Sequence, residues 1–163
     1  MVKYLTKYSL KERRKKMPDV KKELIGMLNH ALELEYSARI QYLAHAEAIN
    51  GLGAEPIIER LKEIAGDELK HEGIFRELIA AFLGGAPSMN LAETFKAKDI
   101  KDILKVNLKG EKDAVDFYKQ IYQKVIDSKK SLQYEFETLE HQIRHVIMDE
   151  QEHVTELNLL LGK

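Results

Sequence analysis

Residues 28–46 read LNHALELEYSARIQYLAHA, and the position of one acid in this run decides the fold. Leu28, Ala31, Leu32, Ala38 and Tyr42 recur at the three- and four-residue intervals that share one side of an α-helix, and Glu35 falls on that same side. That side is expected to be core. A carboxylate facing a core without a partner is strongly unfavourable, so a cation held between helices is the economical explanation of Glu35.

The same periodicity continues along the chain in four long segments, separated where Gly, Pro and small polar residues gather. The first is expected to run from about Pro18 to Asn50 and to stop at the Asn-Gly-Leu-Gly turn of residues 50–53. The second starts near Ala54, with Pro56 in its first turn, and ends at Gly84-Gly85. Residues 85–97 lack a sustained apolar stripe and read as a long connection. The third helix spans Lys98 to Ser128, and the fourth follows the Ser128–Ser131 break after a tight turn and continues to about Leu161. Short, long and short connections predict an all-α antiparallel four-helix bundle of two hairpins joined by a crossover. The expected layout is a basic N-terminal extension, residues 1–17, and one bundle domain over residues 18–163.

Composition agrees with this. The 163 residues are 44% hydrophobic and 33% charged with only nine Gly and three Pro, which favours long helices with polar outer faces. The net charge of -1 gives no overall attraction for nucleic acid. There is no cysteine, which removes thiolate zinc sites, iron–sulfur clusters and thiol nucleophiles. Any metal must therefore rest on carboxylate and imidazole. The first residues lack the apolar centre of a signal peptide and no run approaches the ~20 apolar residues of a membrane span, so a cytoplasmic protein without membrane contact is expected.

The pattern Glu-x-x-His occurs twice, as Glu68-Leu-Lys-His71 and Glu150-Gln-Glu-His153, each preceded by an aspartate, Asp67 and Asp149. Residues three apart share a helix face, so each motif can offer a carboxylate and an imidazole to one point. In an antiparallel hairpin, positions equidistant from the turn lie at one height. Reflecting Glu68 about the turn at 51–52 lands on Glu35, and reflecting Glu150 about position 130 lands near Glu111. Glu33 and Asp113 point well away from that line and are read as surface.

Glu35, Glu68, His71, Glu111, Glu150 and His153 are thus expected to form one two-metal site. Four carboxylates and two imidazoles suit a pair of iron ions, with manganese or zinc able to take their place, better than calcium or a closed structural zinc site. Each His needs an acceptor for its other ring N–H, and Asp67 and Asp149 are placed to provide it to the His of the facing motif. Tyr42 is the candidate catalytic side chain, able to hydrogen-bond a ligand or supply an electron. Gly66 and Gly110 cost about 1 kcal/mol each in mid-helix, which either close helix approach, a local bulge or simple surface tolerance accounts for.

These residues resemble the ferritin-like superfamily, and within it the bacterioferritin and Dps-like di-iron carboxylate proteins. Residues 28–46 are similar to the bacterioferritin first helix, with Glu35 and Tyr42 at its Glu and Tyr positions. Glu68 and His71, Glu111, and Glu150 and His153 match the remaining ligands in order. The resemblance implies an oxidoreductase that oxidises Fe(II) with O2 or H2O2, for iron detoxification or storage and protection against oxidative stress. It also implies a homo-oligomer, a dimer or a twelve-subunit shell. Where bacterioferritins carry a haem-ligating Met the chain has Leu69, so no haem is expected. Only ten residues follow His153 here, so the fifth helix of the 24-subunit cages, and such a cage, are not expected. The third-helix position of the additional rubrerythrin glutamate is Ala114. A dimanganese catalase-like enzyme and a non-catalytic, metal-stabilised or DNA-shielding assembly are the alternative readings. The basic run Lys11–Lys16 is the only candidate for DNA contact. His141 and His145, four apart, are read as lying off the metal face, and His30 and His45 off the metal level.

Overall fold

The protein is described by a computed structural model over residues 19–163. Four long helices follow one another, α1 Asp19–Ala48, α2 Ala54–Glu77, α3 Ile100–Asp127 and α4 Phe136–Leu160, and no strand occurs among the described residues. The expected all-α bundle is therefore present. No described helix is long and apolar enough to cross a membrane. The basic run, the 1–17 extension and the expected helix start at Pro18 lie outside the described residues.

α1 packs chiefly on α2, and α3 chiefly on α4, while contact between α1 and α3 joins the two hairpins. The first turn is made by Gly51 and Gly53, whose φ values of 104° and 77° are open to glycine at little cost. α2 widens into a π-helical turn over Leu78–Phe82 before the chain leaves it. At Gly85 the chain passes so close to α1 that a Cβ there would lie 2.8 Å from Ile25.

The crossover then runs beside α1 in the same direction. Ser88 N donates to Asn29 Oδ1 at 2.7 Å, Ser37 Oγ to the Ala92 carbonyl at 2.8 Å, and Phe95 N to Gln41 Oε1 at 2.6 Å. This ladder carries the chain the length of the bundle, so that α3 starts beside the α1–α2 turn. α3 begins two residues later than the periodicity indicates, because Asp99 serves as its cap and accepts from Asp102 N at 2.9 Å. The last connection is longer than the tight turn expected. A 3₁₀ turn, Lys129–Ser131, leads to fully buried Leu132, and α4 starts only at Phe136.

Two apolar layers fill the bundle. Leu24, Leu28, Leu32, Phe75, Ile79, Ile121, Val125, Leu139 and Ile143 belong to the layer near the α3–α4 connection. Ala46, Ile49, Leu61, Ile64, Leu104, Leu108 and Leu157 belong to the layer near the α1–α2 turn. Each fully buried Leu or Ile contributes roughly 1.5–3 kcal/mol. On every helix, a stretch that belongs to neither layer separates the two.

Candidate metal centre

That separating stretch carries the six residues. Glu35 of α1, Glu68 and His71 of α2, Glu111 of α3, and Glu150 and His153 of α4 are each 4% exposed or less, and they meet between the two apolar layers. Their donor atoms form two overlapping groups, Glu35, Glu68, His71 and Glu150 in one, and Glu68, Glu111, Glu150 and His153 in the other, each within 4.8 Å. Glu68 and Glu150 belong to both.

Each imidazole turns Nδ1 inward. His71 Nδ1 lies 3.0 Å from Glu150 Oε1 and 3.4 Å from both Glu35 Oε2 and Glu68 Oε2. His153 Nδ1 lies 3.0 Å from Glu150 Oε2, 3.5 Å from Glu68 Oε1 and 3.9 Å from Glu111 Oε2. The outward nitrogens meet the aspartates of the opposite motif. His71 Nε2 is 3.2 Å from Asp149 Oδ2, and His153 Nε2 is 3.5 Å from Asp67 Oδ2.

Four carboxylates so close together and so deeply buried disturb one another's protonation. Burial raises the pKa of Glu68, and the charges of Glu150, Glu35 and Glu111 raise it further. Burial and Glu150 together bring Glu111 to about 8. Glu150 goes the other way: burial opposes its charge, but the imidazoles of His153 and His71 beside it hold it well below the usual carboxylate range. Burial likewise opposes a charged His153, yet Glu111 and Glu150 bring it up to about 10, and His71 is raised against its burial by Glu150, Glu35 and Glu68.

Whether these residues suit a metal pair is decided by their unpaired atoms. Glu35 Oε2, Glu68 Oε1, His71 Nδ1 and Glu150 Oε1 are buried without a hydrogen-bond partner among the described residues. Leaving buried polar atoms unpaired costs roughly 1–3 kcal/mol each, and more for charged groups. Cations between them would satisfy all four at once, and the mixed oxygen and nitrogen donors suit iron, manganese or zinc. The donor set fits.

Two tyrosines border the centre. Tyr42 Oη donates to Glu111 Oε1, and Tyr118 Oη donates to Glu35 Oε1. Burial, reinforced by the neighbouring carboxylates, raises the pKa of both phenols. Tyr118 was not singled out from the sequence, although a signal was there. It stands seven residues after Glu111, as Tyr42 stands seven after Glu35.

The remaining candidates lie elsewhere. Glu33 accepts from Ser88 Oγ of the crossover at 2.5 Å, and Asp113 pairs with Lys109 at 2.5 Å. Glu72 is buried next to His71 but turns away to Arg39 and Arg76, at 2.5 and 3.3 Å. Among the described residues a Cβ on Gly66 or Gly110 would meet nothing within 4 Å, and both helices are regular there, so neither close approach nor a bulge accounts for them and surface tolerance is left. His141 and His145 are exposed with ring centroids 4.3 Å apart, and buried His45 is 3.0 Å from Asn107 Nδ2 through Nδ1. A cavity of about 400 Å³ opens between α1, α3 and the crossover, past Gln41, Phe95, Asn107 and Phe117, and reaches all four site glutamates.

The family model for the ferritin-like domain matches residues 25–163. A bacterioferritin of Brucella melitensis biotype 1 is 30% identical over 100 residues, 60% of this chain and 61% of its own, so the chain spans about three fifths of that curated relative. Among solved structures, ferritin-like, diiron-carboxylate proteins of Bacillus anthracis strain Ames superpose with a TM-score of 0.82 at 27% identity, over 89% of this chain and 99% of theirs. A dodecameric thioferritin, the bacterioferritin-related protein of Bacteroides fragilis, gives 0.76 at 25% identity over 90% and 88%. The fold of Rhodobacter capsulatus bacterioferritin is also similar, with a TM-score of 0.77 at 23% identity over 86% and 84%.

Proposed function

The chain belongs to the ferritin-like family, and on that premise we propose that it is a di-iron oxidoreductase that binds two Fe(II) ions per chain and oxidises them with O2 or H2O2. The observation that carries this reading is the sharing of Glu68 and Glu150 between two otherwise separate donor groups. A single structural ion needs one group. Two ions held side by side through common carboxylates can deliver two electrons together to one oxidant, reducing O2 to H2O2 or H2O2 to water without releasing a radical.

The side chains divide this work. Glu35 and His71 would complete one position, Glu111 and His153 the other, with Glu68 and Glu150 between them. For Nδ1 to offer a lone pair, each imidazole must carry its proton on Nε2, and that N–H donates to Asp149 from His71 and to Asp67 from His153. Tyr42 holds Glu111 and, like Tyr118 on Glu35, is a phenol able to supply an electron at the centre. Apolar layers lie above and below the centre, and the cavity beside α3, which reaches the four glutamates, would serve as the way in for ion and oxidant. Leu69 has no atom that can ligate haem iron, so no haem is proposed.

Exposed Ile40, Leu43 and Leu69 leave apolar surface on α1 and α2, which supports assembly of several copies. The dodecameric state of the Bacteroides fragilis protein makes a twelve-subunit shell the form to test. Anaerobic titration with Fe(II) is expected to saturate at two ions per chain, and addition of O2 or H2O2 to oxidise them faster than in buffer. Saturation without faster oxidation would leave a metal-stabilised structural protein. Recovery of manganese from purified protein, with peroxide disproportionated, would replace iron oxidation by a catalase-like reaction.

A further inference from the structure

The contacts around the centre are reciprocal between the hairpins. Tyr42, from the first hairpin, donates to Glu111 of the second, and Tyr118, from the second, donates to Glu35 of the first. In both cases the phenol takes Oε1. The other oxygen is left facing an imidazole, with Glu35 Oε2 3.4 Å from His71 Nδ1 and Glu111 Oε2 3.9 Å from His153 Nδ1. Both tyrosines are 1% exposed, and Tyr118 is steadied by the edge of Phe75, with ring centroids 5.4 Å apart.

A carboxylate has two oxygens and free rotation about its last bond, so nothing in Glu35 itself decides which oxygen faces the ion or whether both do. A donor fixed on one oxygen decides it. Glu35 belongs only to the donor group of His71, and Glu111 only to that of His153.

Resting on the two-ion reading above, we infer that Tyr118 is a positioning residue which sets the geometry of Glu35 and thereby governs the His71 metal position alone, while Tyr42 governs the His153 position alone through Glu111. The two halves of the centre are then separately adjustable. Each is tuned by a phenol from the hairpin that does not carry the glutamate it holds.

Co(II) titration of metal-free full-length protein, followed by visible absorption, tests this without any turnover. Wild type is expected to bind two ions. Tyr118→Phe keeps the ring, and is expected to weaken one ion roughly 10- to 100-fold while leaving the other unchanged. In a His153→Ala background, where the His71 position remains, Tyr118→Phe should lower the affinity and shift the absorption of the remaining ion, and Tyr42→Phe should do neither. In a His71→Ala background the two tyrosines should exchange effects. Helicity by circular dichroism confirms that each variant is folded, and Tyr42→Phe gives an independent arm should Tyr118→Phe not fold. Two ions bound by wild type with neither affinity nor spectrum altered by Tyr118→Phe overturns this inference alone, as does weakening of the same ion by both tyrosine variants. Fewer than two ions bound by wild type overturns the proposed function and the inference together.

Discussion

The α1–α2 hairpin and the α3–α4 hairpin bring the same set of side chains to one layer through unlike connections. The first turns within residues 49–53 on two left-handed glycines, and the second takes residues 128–135, with a 3₁₀ turn and a buried leucine. Yet Glu35, Tyr42, Asp67, Glu68 and His71 in one hairpin stand opposite Glu111, Tyr118, Asp149, Glu150 and His153 in the other. The height of the donors is set by how the helices pack above and below the centre. Turn length only has to permit it. The hairpins differ in the support each aspartate has. Asp67 is also held by Lys70 at 2.7 Å, whereas Asp149 makes its contact with His71 from a half-exposed position.

The largest effect is expected where the hairpins share residues. Replacing Glu68 and Glu150 together by Ala should abolish binding of both ions, read as metal content after gel filtration, because each contributes to both donor groups. If each hairpin instead held its own ion, one ion would survive replacement of Glu68 alone with its affinity unchanged.

Next in size is the response to pH, which both hairpins contribute to. Glu111 is raised from 4.5 to about 8, so the stability its proton provides is present below about 4.5 and is lost as pH rises through 8. His153 is raised from 6.5 to about 10, so its contribution is present below 6.5 and is lost as pH rises through 10. Glu150 is lowered, and its contribution disappears only on acidification below the ordinary carboxylate range. Metal-free protein should therefore melt at lower temperature at about pH 8.5 than at about pH 6, and metal, which displaces these protons, should raise the melting temperature more at the higher pH. A gap between loaded and chelated protein that is no larger at the higher pH would contradict the proton accounting.

A smaller effect separates the aspartates. Asp149→Asn should weaken the His71 position by up to roughly tenfold. Asp67→Asn should weaken the His153 position less, because that contact is longer, at 3.5 Å against 3.2 Å. Equal losses in a metal titration would erase the difference between hairpins. Smallest is Gly66→Ala on the open side of α2, expected to stabilise by about 1 kcal/mol, a rise of about 2–4 °C in melting temperature, with metal content unchanged.

Much of this was legible beforehand because it is local. The periodicity around Glu35 and the i, i+3 spacing of the two Glu-x-x-His motifs follow from helix geometry, and reflection about the turns brought Glu35 and Glu111 into register with them. Tyr118 escaped because its donation to Glu35 spans 83 positions, and no rule within one helix ties a tyrosine to a glutamate on another. Gly66 and Gly110 stay open between three explanations for the same reason: their cost is intrinsic, but the open space beside them, which leaves surface tolerance, is a property of the packed bundle. The α4 start was misplaced because Leu132 is apolar and in helical phase, and only its insertion into the core shows that the chain bends there.

By itself, then, the sequence determined four amphipathic helices, the six candidate donors and their common height, because these depend on rise per residue and side-chain periodicity. Only the tertiary structure decided which aspartate meets which histidine, which phenol holds which carboxylate, that two donor groups share Glu68 and Glu150, and where the centre opens to solvent. Those are contacts between hairpins, and the angle and face at which hairpins pack are set by the sum of many distant apolar contacts, which no single stretch of chain contains.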